Sequence, residues 1–386
     1  MTQPYNSGRK VVSDVIFRTL VWSFIRRNVV LCVAVTAAVL TCFLVPPDAL
    51  YLGYFDFKTL ACLFCVLAVV CALKNVRFFY ALAHGIVHRF RTMRSCVLAL
   101  VYITFIGSML IANDMALLTF LPLGFLVLET TGQRQYMAFT FIMQNIAANL
   151  GGMLTPFGNP QNLYLYSYFN IPDLEFIGIL APLFAVAVLL ITVCCLVAVK
   201  PIPLTLDDHP VDLPRGRVAL YLVLFALSIA IVFRGIPYVV GLVVIPLVLW
   251  FADRRALMMV DYPLLFTFAA FFVFAGNLSR LPVVHELLST LLSRDTLLVS
   301  ALSCQFISNV PTAVLLSRFT DAYPALLIGV NIGGTGTLIA SLASLITYRE
   351  YGKHDAKGTG RYLRLFTVYN FGFLAVLFAV ARILGY

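Results

Sequence analysis

Four short polar clusters interrupt the long apolar stretches of this 386-residue chain. Their carbonyl and hydroxyl oxygens suit a dehydrated cation, whereas N–H groups exposed at the start of a half-helix suit an anion. The residues predicted to bind substrate are Asn113, Gly151, Gly152, Thr155, Pro156, Gly158, Asn159, Asn162, Ser308, Asn309, Thr312, Gly333, Gly334, Thr335, Thr337 and Ser341. The clusters therefore predict a binding site for a small ion.

Asp114 is the ionisable side chain of these clusters. An ionisable residue inside an otherwise uncharged membrane stretch is costly and is a functional candidate by default. We expect Asp114 to balance a bound cation or to carry a proton, with Asn113 and Asn309 as its partners in cation coupling. The alternative is a carboxylate that only caps a helix start. No cofactor is expected beyond a bound sodium ion or a proton, and no metal centre.

The composition excludes a soluble globular protein. Apolar residues make up 61% of the chain and charged residues only 11%, where soluble domains have about half and about a quarter. Uncharged runs such as 28–46 and 176–199 approach the ~20 residues that cross a ~30 Å hydrocarbon core as a helix. The fold class is therefore all-α, in a polytopic membrane protein.

Hydropathy predicts about nine crossings and two re-entrant hairpins. The crossings are 28–46, 57–73, 135–169 (interrupted), 174–199, 218–233, 237–252, 260–278, 323–347 (interrupted) and 365–384. The stretches 95–128 and 296–317 are each broken in the middle, and we expect neither arm to be long enough to span, so both should return to their starting side. With a cytoplasmic amino terminus, most Lys and Arg residues lie inside, as the positive-inside rule requires. This predicts the cell (inner) membrane and assigns the net charge of +10 to orientation rather than to nucleic acid.

The two halves of the chain match in three places and in the same order. The matches are Asp56 with Asp261, 112–114 with 308–310, and 149–155 with 331–337. On the charge map the matched spans run in opposite directions, which predicts an inverted repeat. The predicted divisions are a basic cytoplasmic arm (1–27), membrane repeat 1 (28–199), a linker with an unpaired helix (200–236) and membrane repeat 2 (237–386). Val310 matches Asp114, so the two cation-type sites should not be equivalent.

The third match predicts a broken helix at membrane depth in each repeat. Gly151 and Gly152 are permissive, and Pro156 and Pro160 each remove a donor. Unpaired backbone is tolerated at that depth only where it lines a cavity, so each break predicts part of a binding site. Small residues that serve only helix packing are the alternative for any single position.

These motifs resemble those of the ion transporter superfamily, which includes arsenite exporters, sodium/proton antiporters of the NhaD type, citrate transporters and dicarboxylate symporters. Residues 112–117 resemble its A-N-D-x-A-L hairpin and 308–312 its S-N-x-P-T. Residues 155–162 are similar to the T-P-x-G-N-P-Q-N run of small YbiR-type anion permeases, and 331–344 to their V-N-x-G-G…S-L-A-x-L. In the sodium-coupled dicarboxylate branch both tips read Ser-Asn-Thr, so the Asp of this chain resembles the arsenite and antiporter branches more.

The resemblance and the inverted repeat together predict a secondary active transporter. We expect it to move a small inorganic or organic anion, an oxyanion or carboxylate, by symport or antiport with protons or sodium. The alternatives are a cation/proton antiporter of the NhaD type and an ion channel. An enzyme is not expected, because His84 and His88 lack the glutamate of an H-E-x-x-H zinc site. The expected partners are the anion and membrane lipids, with a homodimer as a candidate assembly and no nucleic acid.

Overall fold

The structure is a computed structural model that describes residues 28–87, 89–204 and 213–386, together with Trp22 and Ile25. The predicted basic arm (1–27), apart from those two residues, lies outside the described residues, and so does His88. Within the described ranges the chain is helical, and its only β pairing is an isolated bridge between Thr92 and Pro203. The all-α prediction is confirmed.

The described helices follow one another with short connections. They are α1 (Val29–Leu44), α2 (Phe57–Asn75), α3 (Phe78–Val87), α4 (Met93–Leu110), α5 (Asn113–Thr130), α6 (Met137–Gly151), α7 (Pro160–Tyr168), α8 (Asp173–Ala198), α9 (Arg215–Val232), α10 (Tyr238–Ala252), α11 (Arg254–Met258), α12 (Tyr262–Ser279), α13 (Pro282–Ile307), α14 (Asn309–Leu316), α15 (Tyr323–Ile332), α16 (Leu342–His354) and α17 (Thr359–Ile383). Short 3₁₀ turns lie at Ala49–Tyr54, Arg134–Tyr136 and Gly152–Leu154.

Eight of the described helices are long and apolar enough to cross a membrane, namely α2, α4, α5, α8, α9, α12, α13 and α17. Helices α1, α10 and α15 are apolar but shorter. Large apolar side chains on the outside of the bundle are exposed, with Phe43 at 80% and Phe251 at 79%. Such surfaces suit lipid rather than water. The chain is a multi-pass membrane protein.

The first hairpin differs from the sequence prediction in the length of its arms. Helices α4 and α5 have 18 residues each, which is about 27 Å at a rise of 1.5 Å per residue. The expectation that neither arm is long enough to span is therefore wrong for this hairpin. The reason is that Pro122 lies inside α5 without ending it, so the only interruption is the turn at Ile111 and Ala112.

The second hairpin matches the prediction more closely. Helix α13 contains a non-helical residue, Asp295, and its second part therefore starts at 296, where the hairpin was predicted to begin. The Asp295 side chain accepts a hydrogen bond from Leu298 N at 2.9 Å and so restarts the helix. The returning arm, α14, has only eight residues. The short-arm expectation is confirmed for this returning arm, whereas α13 as a whole has 26 residues and is long enough to cross.

The two halves share one packing pattern. In each repeat the hairpin packs against the first half of its own broken helix, α4 and α5 on α6, and α13 and α14 on α15. The returning arm of each hairpin then contacts the second half-helix of the other repeat, α5 with α16 and α14 with α7. Asp56 and Asp261 are matching N-caps, each accepting a backbone N–H at 3.0 Å. These contacts between the repeats bring both hairpin tips and both breaks into the interior of the bundle.

Candidate functional site

Each hairpin tip is joined to the break of its own repeat by one backbone hydrogen bond. Asn113 N donates to Gly158 O at 3.2 Å, and Asn309 N donates to Ala340 O at 3.0 Å. Gly158 and Ala340 each immediately precede the N-cap residue of a second half-helix. The two docking contacts are therefore equivalent. Both tip asparagines are buried. The structure thus places the four predicted clusters as two matched pairs.

A network of buried asparagines joins the two repeats. The side-chain oxygen of Asn149 accepts from Asn113 Nδ2 at 3.0 Å and from Ser341 Oγ at 2.8 Å. In the matching contact, Asn331 Oδ1 accepts from Asn159 Nδ2 at 3.4 Å. Ser341 and Asn159 are the N-caps of α16 and α7. Each first half-helix therefore contacts the second half-helix of the opposite repeat through one asparagine.

Two further contacts extend this network. They involve Asn145 and Asn331, which sequence reasoning did not assign to the site. Asn331 Nδ2 donates to Asn162 Oδ1 at 2.6 Å, and Asn145 Nδ2 donates to Ser344 Oγ at 3.3 Å. Asn145 and Asn149 are four residues apart, so they share one face of α6. Two asparagines on one face of a membrane helix are the sequence signal that could have identified them.

The predicted threonines use their hydroxyl hydrogens locally. Each donates to a backbone carbonyl of its own repeat: Thr155 to Met109 O, Thr312 to Ser308 O, Thr335 to Ile332 O and Thr337 to Gln305 O. Their oxygen lone pairs remain available to a cation. Pro156 lies in the loop between Gly152–Leu154 and α7. Ser308 has a positive φ of 72°, a conformation that favours glycine and strains a serine at this tip.

Asp114 lies in the first turn of α5, beside the docking contact of Asn113. Its backbone N–H donates to Asn113 Oδ1 at 2.9 Å. The N-cap residue of α5 is Ala112, whose side chain makes no capping hydrogen bond, and Asp114 is the acidic residue of the first turn. The Oδ1 atom of Asp114 is buried and has no hydrogen-bond partner within the part of the chain that the structure describes. A carboxylate oxygen in this position can accept a proton or coordinate a cation.

Other buried polar atoms of repeat 1 also lack a partner among the described residues. They include the acceptors Gln144 Oε1, Asn145 Oδ1, Asn159 Oδ1 and Gln161 Oε1, the hydroxyl of Thr140 and the donor Asn149 Nδ2. A buried polar group without a partner is unfavourable unless a ligand or water satisfies it. The free acceptors suit a cation, whereas the free donor suits an oxygen of an anion. Both types of group lie on the broken helix of repeat 1.

The glycines of the breaks permit close approach of neighbouring groups. A Cβ atom on Gly152 would lie 2.5 Å from Asn159 Oδ1, and one on Gly334 would lie 3.0 Å from Asn309 Nδ2. We therefore expect Gly152→Ala to reduce transport at least tenfold and Gly334→Ala to reduce it less, with both proteins still inserted in the membrane. The measurement is initial uptake rate divided by the amount of protein in the membrane.

Gly178 provides the control for this pair. A Cβ atom there meets nothing within 4 Å, so Gly178→Ala should transport as the parent does. Gly124 is unsuitable because its Cβ would lie 2.9 Å from Gln144 Oε1. Equal loss for Gly178→Ala and Gly152→Ala would mean that the breaks matter only for general helix packing.

Comparison with known proteins places the chain in a family. The sequence model of the citrate transporter family matches residues 17–325. The chain belongs to the citrate transporter family. It is 30% identical over 333 residues to the uncharacterized transporter MJ0456 of Methanocaldococcus jannaschii, covering 85% of this chain and 90% of that protein. It is 31% identical over 284 residues to the inner membrane protein YbiR of Escherichia coli, covering 70% of this chain and 74% of that relative.

Membership of the citrate transporter family confirms the predicted resemblance and identifies the chain as a membrane transporter. The matched region includes both hairpin tips. In this family member, the described residues contain no group of three or more His, Cys, Asp or Glu side chains that could hold a metal ion. Asp114 is the acidic residue of the tips and breaks, and the clusters there carry no Lys or Arg.

Proposed function

We propose that the chain is a secondary active transporter that moves a small anion, an oxyanion or a carboxylate, in a cycle coupled to protons or sodium. The observation that supports this most is the buried Oδ1 of Asp114, which has no hydrogen-bond partner among the described residues and lies next to the tip residue that docks on the break. A carboxylate there can take up and release a cation as the site changes its exposure. Asn113 and Asn309 are the proposed partners of Asp114 in coupling.

The substrate side of the proposal rests on donors. Helices α7 and α16 begin at the breaks, and the first N–H groups of a helix favour an anion. Asn149 Nδ2 adds a buried donor that lacks a partner among the described residues. The proposed substrate-binding residues are those of the two tips and the two breaks given at the start. A cation at Asp114 would offset the missing basic side chain.

A cation/proton antiporter of the NhaD type is the second candidate. The observation in its favour is that the tips and breaks hold one acidic residue and no basic one. An antiporter would exchange sodium for protons in the absence of any anion. An ion channel is the third candidate, and it would show no accumulation of labelled substrate driven by exchange.

Counterflow in proteoliposomes tests the proposed function. Vesicles are loaded with citrate, succinate, phosphate or arsenite and diluted into the matching labelled compound, with and without gradients of protons and sodium. We expect at least one anion to accumulate transiently, and the same anion to raise the unfolding stability by about 2.7 kcal/mol at 100 times its dissociation constant. Sodium/proton exchange without any counterflow would instead favour the antiporter.

The proposed orientation places Arg134 and Arg215 in the cytoplasm and Asp173 and Arg294 outside. Single cysteines at these positions, in a background that lacks the nine native cysteines, should be labelled from opposite faces by an impermeant maleimide. The reason is that segment 135–169 must cross the membrane if its break lines the site. Labelling of positions 134 and 173 from the same face would mean that the interrupted helix does not cross, and would contradict the inverted arrangement.

A further inference from the structure

Gln305 places its amide nitrogen among three backbone carbonyls. It lies in the last turn of α13, just before the second hairpin tip, and is buried. Its Nε2 atom is 3.0 Å from Ala301 O, 2.9 Å from Gly333 O and 3.2 Å from Thr335 O. Backbone carbonyls that converge on one point are the ligands of a hard cation. Here an amide occupies that point.

The orientation of this amide is fixed by its oxygen. Gln305 Oε1 accepts a hydrogen bond from Thr337 N at 2.9 Å. Exchanging the two amide atoms would direct the oxygen at three carbonyl oxygens, which cannot donate to it. The loop that contains Gly336 packs closely against the Gln305 side chain. Gly336 has a φ of 121°, and a Cβ there would lie 2.2 Å from Gln305 Oε1. The break of repeat 2 is therefore built around this amide.

Repeat 1 has a methionine at the matching position. Met109 precedes the tip asparagine of its hairpin by four residues, as Gln305 does in the other repeat. Met109 O accepts from Thr155 Oγ1 at 2.7 Å, and Gln305 O accepts from Thr337 Oγ1 at 3.0 Å, so the two positions are structurally equivalent. A thioether has no hydrogen to donate. Met109 therefore cannot take the place of a cation at the break of repeat 1 as Gln305 does at the break of repeat 2.

The two repeats also differ in the buried acceptors of the site that lack a hydrogen-bond partner among the described residues. Asp114 Oδ1 and Asn159 Oδ1 lack partners among the described residues. Their counterparts in repeat 2 are Val310, which is apolar, and Ser341, whose hydroxyl donates to Asn149 Oδ1. The site of repeat 1 thus leaves buried acceptors open, and the site of repeat 2 satisfies its carbonyls internally.

We propose that the Gln305 carboxamide takes the place of a second coupling cation, so that the transporter binds one such ion, in repeat 1. The two amide hydrogens are shared among the three carbonyl oxygens of repeat 2 without an ion, and the neutral amide stays in place throughout the transport cycle. The assignment of the remaining ion to repeat 1 rests on the proposed function of Asp114. The filling of repeat 2 rests on the Gln305 contacts alone.

Thermal unfolding of the purified protein in sodium chloride and in choline chloride of equal concentration tests this. Asp114→Asn, which disables repeat 1 and keeps Gln305, should show no rise in Tm with sodium. Asp114→Asn combined with Gln305→Ala should show one, because the three carbonyls are then open to the ion. Asp114→Asn combined with Gln305→Met is the control: it removes the same hydrogen bonds of Gln305 but fills the space, so sodium should not restore the stability that it loses.

A sodium-dependent rise in the Tm of Asp114→Asn with Gln305 intact would overturn the proposal, and this variant decides the question even if Gln305→Ala does not fold. In the Asp114→Asn background, an equal sodium response of Gln305→Ala and Gln305→Met would also overturn it, and would leave Gln305 as a structural brace. Failure of the proposed function looks different. In that case transport by the parent does not respond to pH or sodium. The gain of a sodium response when Gln305→Ala is added to Asp114→Asn is measured by thermal unfolding and needs no transport.

Discussion

Asp114→Asn should abolish the dependence of transport on the proton or sodium gradient and leave part of the substrate exchange intact. The carboxamide keeps the shape of the side chain but cannot take up a proton or neutralise a cation. Net accumulation against a gradient should therefore fall at least a hundredfold. Exchange between the two sides needs the binding site but no net coupled cycle. The measurement is uptake and counterflow of the same labelled anion in proteoliposomes, at two pH values, with and without sodium.

The matched control for Asp114 is its counterpart in repeat 2. Val310 occupies the same place behind the tip asparagine, and its backbone N–H makes the same 2.9 Å bond to the preceding side chain. Val310→Thr should keep coupling intact because it changes no charge. If Asp114→Asn keeps the pH and sodium dependence of the parent, the carboxylate has no coupling role and serves only the local structure of the hairpin.

The sequence predicted the clusters but not their partners. Interruption of apolar runs by Gly, Pro and Asn locates tips and breaks, because backbone geometry there is a local property. The contact of Asn149 with Ser341 joins residues 192 positions apart, and no local pattern specifies it. The inverted repeat is what made the tertiary arrangement partly predictable, because a match between halves implies matching contacts. Gln305 escaped notice because its repeat counterpart, Met109, is apolar.

Helix lengths were predicted less well than helix breaks. The first hairpin was expected to have short arms because Pro122 and the polar tip divide the apolar stretch. A proline within a membrane helix can be accommodated by its neighbours, and α5 continues through Pro122 to Thr130. The second hairpin has the short returning arm that was expected. Composition alone does not distinguish the two cases, because each returning arm contains one proline, Pro122 in α5 and Pro311 in α14.

Asn149→Ala should cause the largest combined loss of stability and transport among the site's uncharged residues. The substitution removes the acceptor shared by Asn113 and Ser341. A buried donor that loses its partner costs about 1–3 kcal/mol, and here two donors lose theirs at once. The variant also loses the free Nδ2 donor that is proposed to face the substrate. We expect a lower Tm and at least a tenfold loss of anion counterflow.

Asn370 supplies the control for this prediction, because it too is a buried asparagine in a membrane helix. Among the described residues its Nδ2 bonds only Phe366 O, within α17. Asn370→Ala should therefore lower stability without a specific loss of counterflow per folded protein. A double-mutant cycle between Asn149→Ala and Ser341→Ala isolates the contact between the repeats. Non-additive losses are expected, since both variants remove the same bond. Strictly additive losses would mean that the two half-helices are not joined through this asparagine when the protein is in its membrane.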